Sequence, residues 1–282
     1  MKSMKDTYTL YNGVEMPCLG LGTYQSKDAV AAAAVKSAVE TGYRLIDTAA
    51  AYGNERGVGQ GIRISGVPRE EIFVTSKLRN AAHGYKATLE AFDMTLDRLG
   101  LRYLDLYLIH WPNPIQYRST WKEATIGTWK AFEELYRAGR IRAIGVSTFM
   151  PHHIEMLKEA CEIKPMVNQL RLCPGVTQKE AVDYCAANGI QVEAYSPFGT
   201  GAIFKVPEMQ KLAAKYQKSV GQVCLRWSLQ MGWIPLPKSA NPARVQENTE
   251  VFDFELAPED VEFIANLTGV CGEATVPDEI RF

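Results

Sequence analysis

No stretch of the chain is apolar for long enough to span a bilayer, and none of its six cysteines belongs to a CxxC pair. The first absence removes membrane-spanning helices from consideration. The second removes redox dithiols and the usual zinc spacings. The cysteines, at positions 18, 161, 173, 185, 224 and 271, have core-like neighbours, as in "QVCLRW" and "VDYCAAN". They read as reduced thiols acting as small buried hydrophobes. Charge is also nearly absent on balance: 31 Lys and Arg against 32 Asp and Glu leave a formal net of −1. Such a chain has no long-range attraction to nucleic acid or to an anionic membrane.

His-rich, Gly/Ser-rich and single-sign charge tracts are missing too, so no linker or disordered arm is expected. The first residues, "MKSMKDTYTLYNG", lack an apolar core and are not expected to act as a signal peptide. No metal site is expected, because there is no HExxH. His152 and His153 are adjacent, should diverge on a helix, and have no evident carboxylate partner. These absences lead us to expect a soluble cytoplasmic protein, a monomer or weak dimer.

What is present is an ordinary globular composition, 46% hydrophobic and 22% charged over 282 residues. Eight apolar or β-branched runs recur along it: 18–23, 43–47, 72–77, 103–110, 141–147, 165–169, 190–196 and 233–239. Amphipathic segments lie between them. "SKDAVAAAAVKSAVETG" has a Ser cap and an early Asp, and "YKATLEAFDMTLDRLG" aligns Leu89, Phe92, Leu96 and Leu99 on one face. "GTWKAFEELYRAG", "TQKEAVDYCAANG" and "VGQVCLRWSLQMG" read the same way, each ending in Gly. Alternation of this kind predicts βαβ units around a buried parallel sheet. Eight repeats in one domain over 1–282 predict an α/β fold, the (β/α)₈ or TIM barrel. An Asn-Gly inside "YTLYNGVEMP" predicts an N-terminal β-hairpin with a two-residue turn, covering one end of that barrel.

The runs end in Thr23, Asp47, Lys77, His110, Ser147, Gln169, Tyr195/Ser196 and Lys238/Ser239. In a barrel these ends meet on one rim, where active sites form. Taken alone, Asp47 is an ordinary helix cap and Tyr52 an ordinary half-buried ring. Together, Asp47, Tyr52, Lys77 and His110 suit protonation of an oxygen that gains negative charge. A Lys beside the phenol favours phenolate and pulls its pKa down, and a carboxylate keeps that Lys charged. His110 can direct a substrate oxygen. Nucleophile elbows, paired acid and base carboxylates and metal ligands are not evident, so hydrolysis fits poorly.

Reduction also requires a site for a hydride donor. "GLGTYQ" places Gly20 and Gly22 after a strand but has Gln25 at the third glycine position, and "GVGQG" (57–61) falls inside a helix. The Rossmann fingerprint therefore fails. "PLPKSANPARVQEN" (235–248) is the better candidate: Lys238, Ser239 and Arg244 surround a helix start, a cradle for phosphate that favours NADPH over NADH.

At this point the stretches "NGVEMPCLGLGTY", "GYRLIDTAAAYGNE", "VTSKL", "DLYLIHWP", "IRAIGVSTF", "MVNQL", "YSPFG" and "IPLPKS" resemble the aldo-keto reductase superfamily along nearly the whole chain. In detail the chain is most similar to short-C-terminus bacterial and protozoal members, of the diketogluconate reductase and prostaglandin F synthase-like type. The resemblance implies NADPH-dependent reduction of aldehydes and ketones, with Tyr52 as general acid in a tetrad with Asp47, Lys77 and His110. It implies cofactor contacts at Ser147 and Gln169, on the nicotinamide carboxamide, at Tyr195, stacked under the nicotinamide ring, and at Gly22, Thr23, Asp47, Thr148, Ser196 and Phe198. Lys238, Ser239 and Arg244 would meet the 2′-phosphate, and Glu247 and Asn248 the adenine. A regulatory NADPH-binding protein with little turnover is the alternative.

Three departures stand out: Thr148 where Asn is common, Arg171 and Cys173 where Glu and His are usual, and Arg79 where an aromatic lines the pocket. An altered charge network is expected around Arg171. Arg79 reads either as a substrate-binding rim guanidinium or, the more frequent case, as a surface Arg. Tyr24 and Trp111 are expected to wall the substrate pocket, and 113–127 is expected to be a rim loop.

Overall fold

Alternating apolar and amphipathic segments become, in a computed structural model describing residues 1–282, a ring of eight parallel strands. A separate antiparallel pair precedes it, β1 (Thr7–Thr9) and β2 (Glu15–Pro17). The ring runs through β3 (Leu21–Gly22), β4 (Leu45–Asp47), β5 (Phe73–Leu78) and β6 (Leu104–Ile109). It continues with β7 (Ile141–Ser147), β8 (Val167–Arg171), β9 (Gln191–Tyr195) and β10 (Ile234–Leu236). Backbone bonds from Gly20 N to Pro235 O (3.1 Å) and Gly22 N to Pro237 O (2.9 Å) join its first and last strands. The β5 and β6 runs are buried at every position because core lies on both faces of the sheet.

Helices cover the outside: α1 (Asp28–Glu40), α2 (Glu55–Ile64), α3 (Tyr85–Leu99), α4 (Trp121–Arg137), α5 (Pro151–Ala160) and α6 (Lys179–Ala187). Two more, α7 (Pro207–Tyr216) and α8 (Val220–Gln230), share the crossover from β9 to β10; α9 (Pro242–Glu247) and α10 (Pro258–Ala265) follow. None is long and apolar enough to cross a membrane. The hairpin covers the end of the barrel where strands begin, through Asn12 Nδ2 to Arg142 O at 3.0 Å.

Local details depart from the sequence reading. The hairpin turn has three residues between Leu10 and Val14, whose N–H and C=O pair at 2.9 Å, with Gly13 at φ +83°. Gly13 supplies the left-handed residue that such a turn needs. Ser26 does not cap α1: Lys27 holds that position without a side-chain bond. Asp28 instead accepts from Gly57 N at 2.8 Å, so its carboxylate ties α1 to α2. Helix α4 begins at Trp121, so the expected loop 113–127 ends as nearly two turns of helix.

The "GVGQG" stretch has a packing reason for its glycines. A Cβ on Gly59 would lie 1.9 Å from Leu99 O, and one on Gly57 would lie 2.1 Å from Asp28 O. Helix α2 thus meets α1 and the end of α3 backbone to backbone. Gly59→Ala is expected to lower stability by about 1–3 kcal/mol, the usual penalty of overpacking. A urea midpoint equal to that of the native protein would refute this account of the contact.

Candidate active site

Strand β4 ends at Asp47, and a single turn of 3₁₀-helix, Ala50–Tyr52, then closes on Gly53 in the left-handed region. Buried Asn54 pins that turn. Its Oδ1 accepts from Thr48 Oγ1 at 2.9 Å, and its Nδ2 donates to Thr23 O and Ser26 O at 2.8 and 2.9 Å. The five-residue offset from Asp47 to Tyr52 is thereby fixed. Lys77, one residue before the end of β5, is fully buried beneath it. Its Nζ donates to both Asp47 oxygens at 2.7 Å, to Thr48 O at 2.9 Å and to Tyr52 Oη at 3.2 Å. The His110 ring stands edge-on to Tyr52, centroids 5.8 Å apart.

The network continues across the barrel. Gln169 on β8 donates from Nε2 to Asp47 Oδ2 at 2.9 Å and to Glu193 Oε2 at 3.0 Å. Glu193, on β9, is fully buried, and its Oε1 has no partner. Sequence reading missed both Asn54 and Glu193. The alternation in "IQVEAYS" carried the only signal, a carboxylate at an inward position of a buried strand.

Burial and charge compete at each group. Burial lowers the affinity of Lys77 for its proton, but Asp47 and then Tyr52 reverse this, and the ammonium is held above its ordinary range. The Tyr52 phenol moves up to about 12: desolvation outweighs the favourable Lys77 charge. Lys77 does pull the phenol down, as expected, but the net shift is upward because withdrawing a phenolate from water costs more than one ammonium returns. His110 is pushed down to about 3 by burial and then by Lys77, so its imidazole is neutral. Glu193 is pushed up to about 8, by burial first and the Asp47 charge second.

One cavity of 990 Å³ connects Tyr52 and His110 at one end to Lys238 and Arg244 at the other. That is the upper end of the range for small-molecule sites. Gly22, Asp47, Ser147, Thr148, Gln169, Tyr195, Ser196, Phe198, Ser239, Glu247 and Asn248 also line it. Tyr24 leans over Tyr52 at 5.0 Å between centroids, and Trp111 meets the C-terminal Phe282 edge-on at 5.3 Å. Phe282, the last residue, gave no signal in the sequence.

Two expected contacts fall outside the cavity. Thr23 is buried behind it, donating its hydroxyl to Asp47 O at 3.0 Å. Arg79 is exposed and lines none of it, because β5 ends at Leu78 and the next turn carries the guanidinium outward. The helix of the phosphate cradle is short. Helix α9 has six residues, and Asn241 Oδ1 already takes the Ala243 N–H at 2.9 Å. Lys238 and Arg244 themselves have no carboxylate partner, so the cationic side chains dominate that end.

Six non-glycine residues have positive φ, and four of them, Gln25, Thr148, Ser196 and Thr200, line this cavity. Thr148 and Thr200, at φ +60° and +54°, are the most demanding, since β-branched side chains rarely enter that region. Strain of this sort persists only where the surroundings over-determine it. Here Thr148 N donates to Gln169 O at 2.9 Å.

Arg171 enters no charge network. Its guanidinium donates to Cys271 O and Glu273 O at 2.6 and 2.7 Å, anchoring the C-terminal segment by its carbonyls. Cys173 is fully buried beside it. His152 and His153 do not diverge, and they do have a carboxylate partner: Asp278, brought from the C-terminal segment, bonds both rings at 3.1 and 3.0 Å. Their ligand atoms lie within 4.8 Å of one another. Sequence reading failed there because the carboxylate is 125 residues away. His153 Nδ1 accepts from Met150 N at 3.0 Å, so its Nε2 carries the proton toward Asp278. The cluster is a hydrogen-bonded latch for the C-terminal segment.

Comparison with known proteins gives a consistent picture. The Aldo/keto reductase family matches residues 18–268. Glyoxal reductase of Bacillus subtilis (strain 168) is 50% identical over 281 residues, 99% of each chain. Among solved structures, MGS-M4, an aldo-keto reductase from a Medee basin deep-sea metagenome library, superposes with a TM-score of 0.92 at 43% identity, covering 98% of this chain and 100% of that one. The Bombyx mori aldo-keto reductase in complex with NADP gives 0.86 at 37% identity, covering 94% and 93%.

The raised Glu193 carboxyl has a measurable consequence. A carboxyl that keeps its proton when folded stabilises the fold fully below the ordinary value of about 4.3, and loses that contribution as pH climbs toward the folded value. The Tm of the native protein relative to Glu193→Gln is therefore expected to decline from pH 5 to pH 8 and then level off, near the value of about 8 for this group. A difference in Tm independent of pH would show that Glu193 is ionised throughout.

Proposed function

The chain belongs to the aldo/keto reductase family, and from that premise we propose that it reduces aldehydes and ketones to alcohols with Tyr52 as the general acid. It is an NADP(H)-dependent oxidoreductase. One observation carries the assignment of roles: a single cavity has a phenol proton at one end and two unpaired cations at the other.

The residues present fit the cofactor. Lys238 and Arg244, free of carboxylates, would hold the 2′-phosphate together with Ser239, and Glu247 and Asn248 would border the adenine. Ser147, Thr148 and Gln169 would meet the nicotinamide amide, with Tyr195 against the ring and Gly22, Ser196 and Phe198 completing the wall. Thr23 acts at one remove, through the Asp47 carbonyl. When bound, NADPH supplies hydride to the carbonyl carbon of the substrate.

This chain's residues handle the proton. Tyr52 Oη, protonated at physiological pH, donates to the carbonyl oxygen as negative charge develops there. The phenolate left behind lies 3.2 Å from Lys77 Nζ, whose charge offsets it. Asp47 keeps Lys77 cationic in a site that would otherwise favour neutral amine. Neutral His110 offers one N–H, enough to orient the carbonyl without adding a second charge. Tyr24, Trp111 and Phe282 form an aromatic wall suited to apolar or aromatic substrates. A cytoplasmic setting is in keeping with six cysteines that are all unpaired.

With nitrobenzaldehyde as substrate, Tyr52→Phe is expected to lower kcat by roughly 10²–10⁴-fold while NADPH still quenches protein fluorescence with its native Kd. A loss below tenfold would remove Tyr52 from the role of acid. Arg244→Leu is expected to weaken NADPH binding by roughly tenfold to a hundredfold, the worth of a charged hydrogen bond, and to leave NADH binding unchanged. Equal weakening of both would place the extra phosphate elsewhere.

A further inference from the structure

Within the reductase reading, on which this inference rests, Glu193 is the ionisable group of the Tyr52–Lys77–Asp47–Gln169 chain that the mechanism leaves without a task. It lies on β9 directly opposite Gln169 on β8, and both are sealed from bulk solvent. Groups that can charge face it from β4 and β5 only, Asp47 and Lys77; the intervening group is the Gln169 amide. From β10, its register partner is Ile234, which cannot charge.

The orientation of the Gln169 amide follows from chemistry. Asp47 is the ionised partner of Lys77 and can only accept, so the atom of Gln169 at 2.9 Å from it must be nitrogen. That nitrogen has two hydrogens. One goes to Asp47 and the other to Glu193 at 3.0 Å. Both donors are consumed inside the barrel. Oε1 of Gln169 forms no hydrogen bond within the chain, and Gln169 lines the cavity.

We propose that Glu193 is a positioning residue which, with Asp47, holds both N–H groups of Gln169 inward, so that the side chain presents only a carbonyl oxygen to the cofactor. An acceptor there matches an N–H donor, the carboxamide of the nicotinamide. Without Glu193 one amide hydrogen is orphaned, and the side chain is free to rotate about its remaining bond to Asp47. An amide that can turn offers donor and acceptor indifferently, and selection for the carboxamide weakens. The carboxyl needs no charge for this task, since a protonated acid still accepts through its carbonyl oxygen.

The test compares two nucleotides by isothermal titration: NADP⁺, and adenosine 2′,5′-bisphosphate, which lacks the nicotinamide. Glu193→Leu is expected to weaken NADP⁺ roughly tenfold and to leave the bisphosphate at its native Kd. Glu193→Gln keeps an acceptor at the same reach and is expected to hold NADP⁺ within about twofold of native. Gln169→Leu should weaken NADP⁺ as well, and the double variant Glu193→Leu/Gln169→Leu should bind no more weakly than Gln169→Leu alone, because both act through one amide. Should Glu193→Leu fail to fold, Glu193→Met, unbranched and of similar length, carries the same expectation. Native affinity for NADP⁺ in Glu193→Leu, equal loss of both nucleotides, or additive losses in the double variant would overturn the inference while leaving the reductase intact. A native protein that binds the bisphosphate and NADP⁺ equally would likewise refute nicotinamide positioning. A native protein that binds neither would overturn the reductase reading and this inference with it.

Discussion

The buried ion pair of Lys77 and Asp47 is the constraint around which the rest of the site is arranged. Two opposite charges lie in the barrel interior with almost no access to water. Removing either partner would strand the other, at a cost of about 3–5 kcal/mol. Such a pair persists only if every remaining donor and acceptor is satisfied, and the surrounding structure does this in detail. Thr48 O takes a third Lys77 hydrogen, Tyr52 lies at 3.2 Å, and Gln169 occupies Asp47 from the opposite wall. The proposed reaction would use the same arrangement, because an ammonium held above its ordinary range is what a departing phenol proton requires.

This polar layer changes the character of the barrel. Through most of the sheet the buried side chains are apolar, as with Ile141, Ala143, Ile144 and Val146 of β7. At the end where the strands finish, β4, β5, β8 and β9 exchange that packing for a hydrogen-bonded chain from Tyr52 to Glu193. The chain crosses the barrel between β4 and β8, which are not neighbours in the sheet. A rigid closed sheet is what allows groups so far apart in sequence to be held at hydrogen-bond distance. Backbone strain is displaced to the rim, where Gln25, Thr148, Ser196 and Thr200 adopt conformations that side chains usually avoid.

The parts that were legible in the sequence share a property: each depends on local pattern. Apolar runs separated by amphipathic segments announced the strands and helices, and the polar residues ending those runs announced the rim. The boundaries of 141–147 coincide with β7 because "IRAIGVS" is unbroken between a helix-ending Gly and a left-handed turn. Where local pattern and tertiary demand diverged, the reading failed. Ser26 had the form of a cap, yet Asp28 was needed against α2 and the helix began later. Arg79 follows Lys77 by two residues, the interval that keeps one face of a strand, but the strand ends between them.

The sequence by itself determined the barrel and the three residues that gather around Tyr52, because periodicity and strand-end chemistry are written residue by residue, and its motifs carried the resemblance to the family. Only the tertiary structure decided the balance of forces among them. Lys77 lowers the Tyr52 phenol, but the net direction depends on how much water surrounds it, and burial won. Whether His152 and His153 have a carboxylate depends on where Asp278 returns, 125 residues later. Whether Glu193 is a passive core residue or a support for Gln169 depends on the register of two adjacent strands. Solvent exclusion and long-range contact exist only once the chain has closed on itself, and no window of sequence contains them.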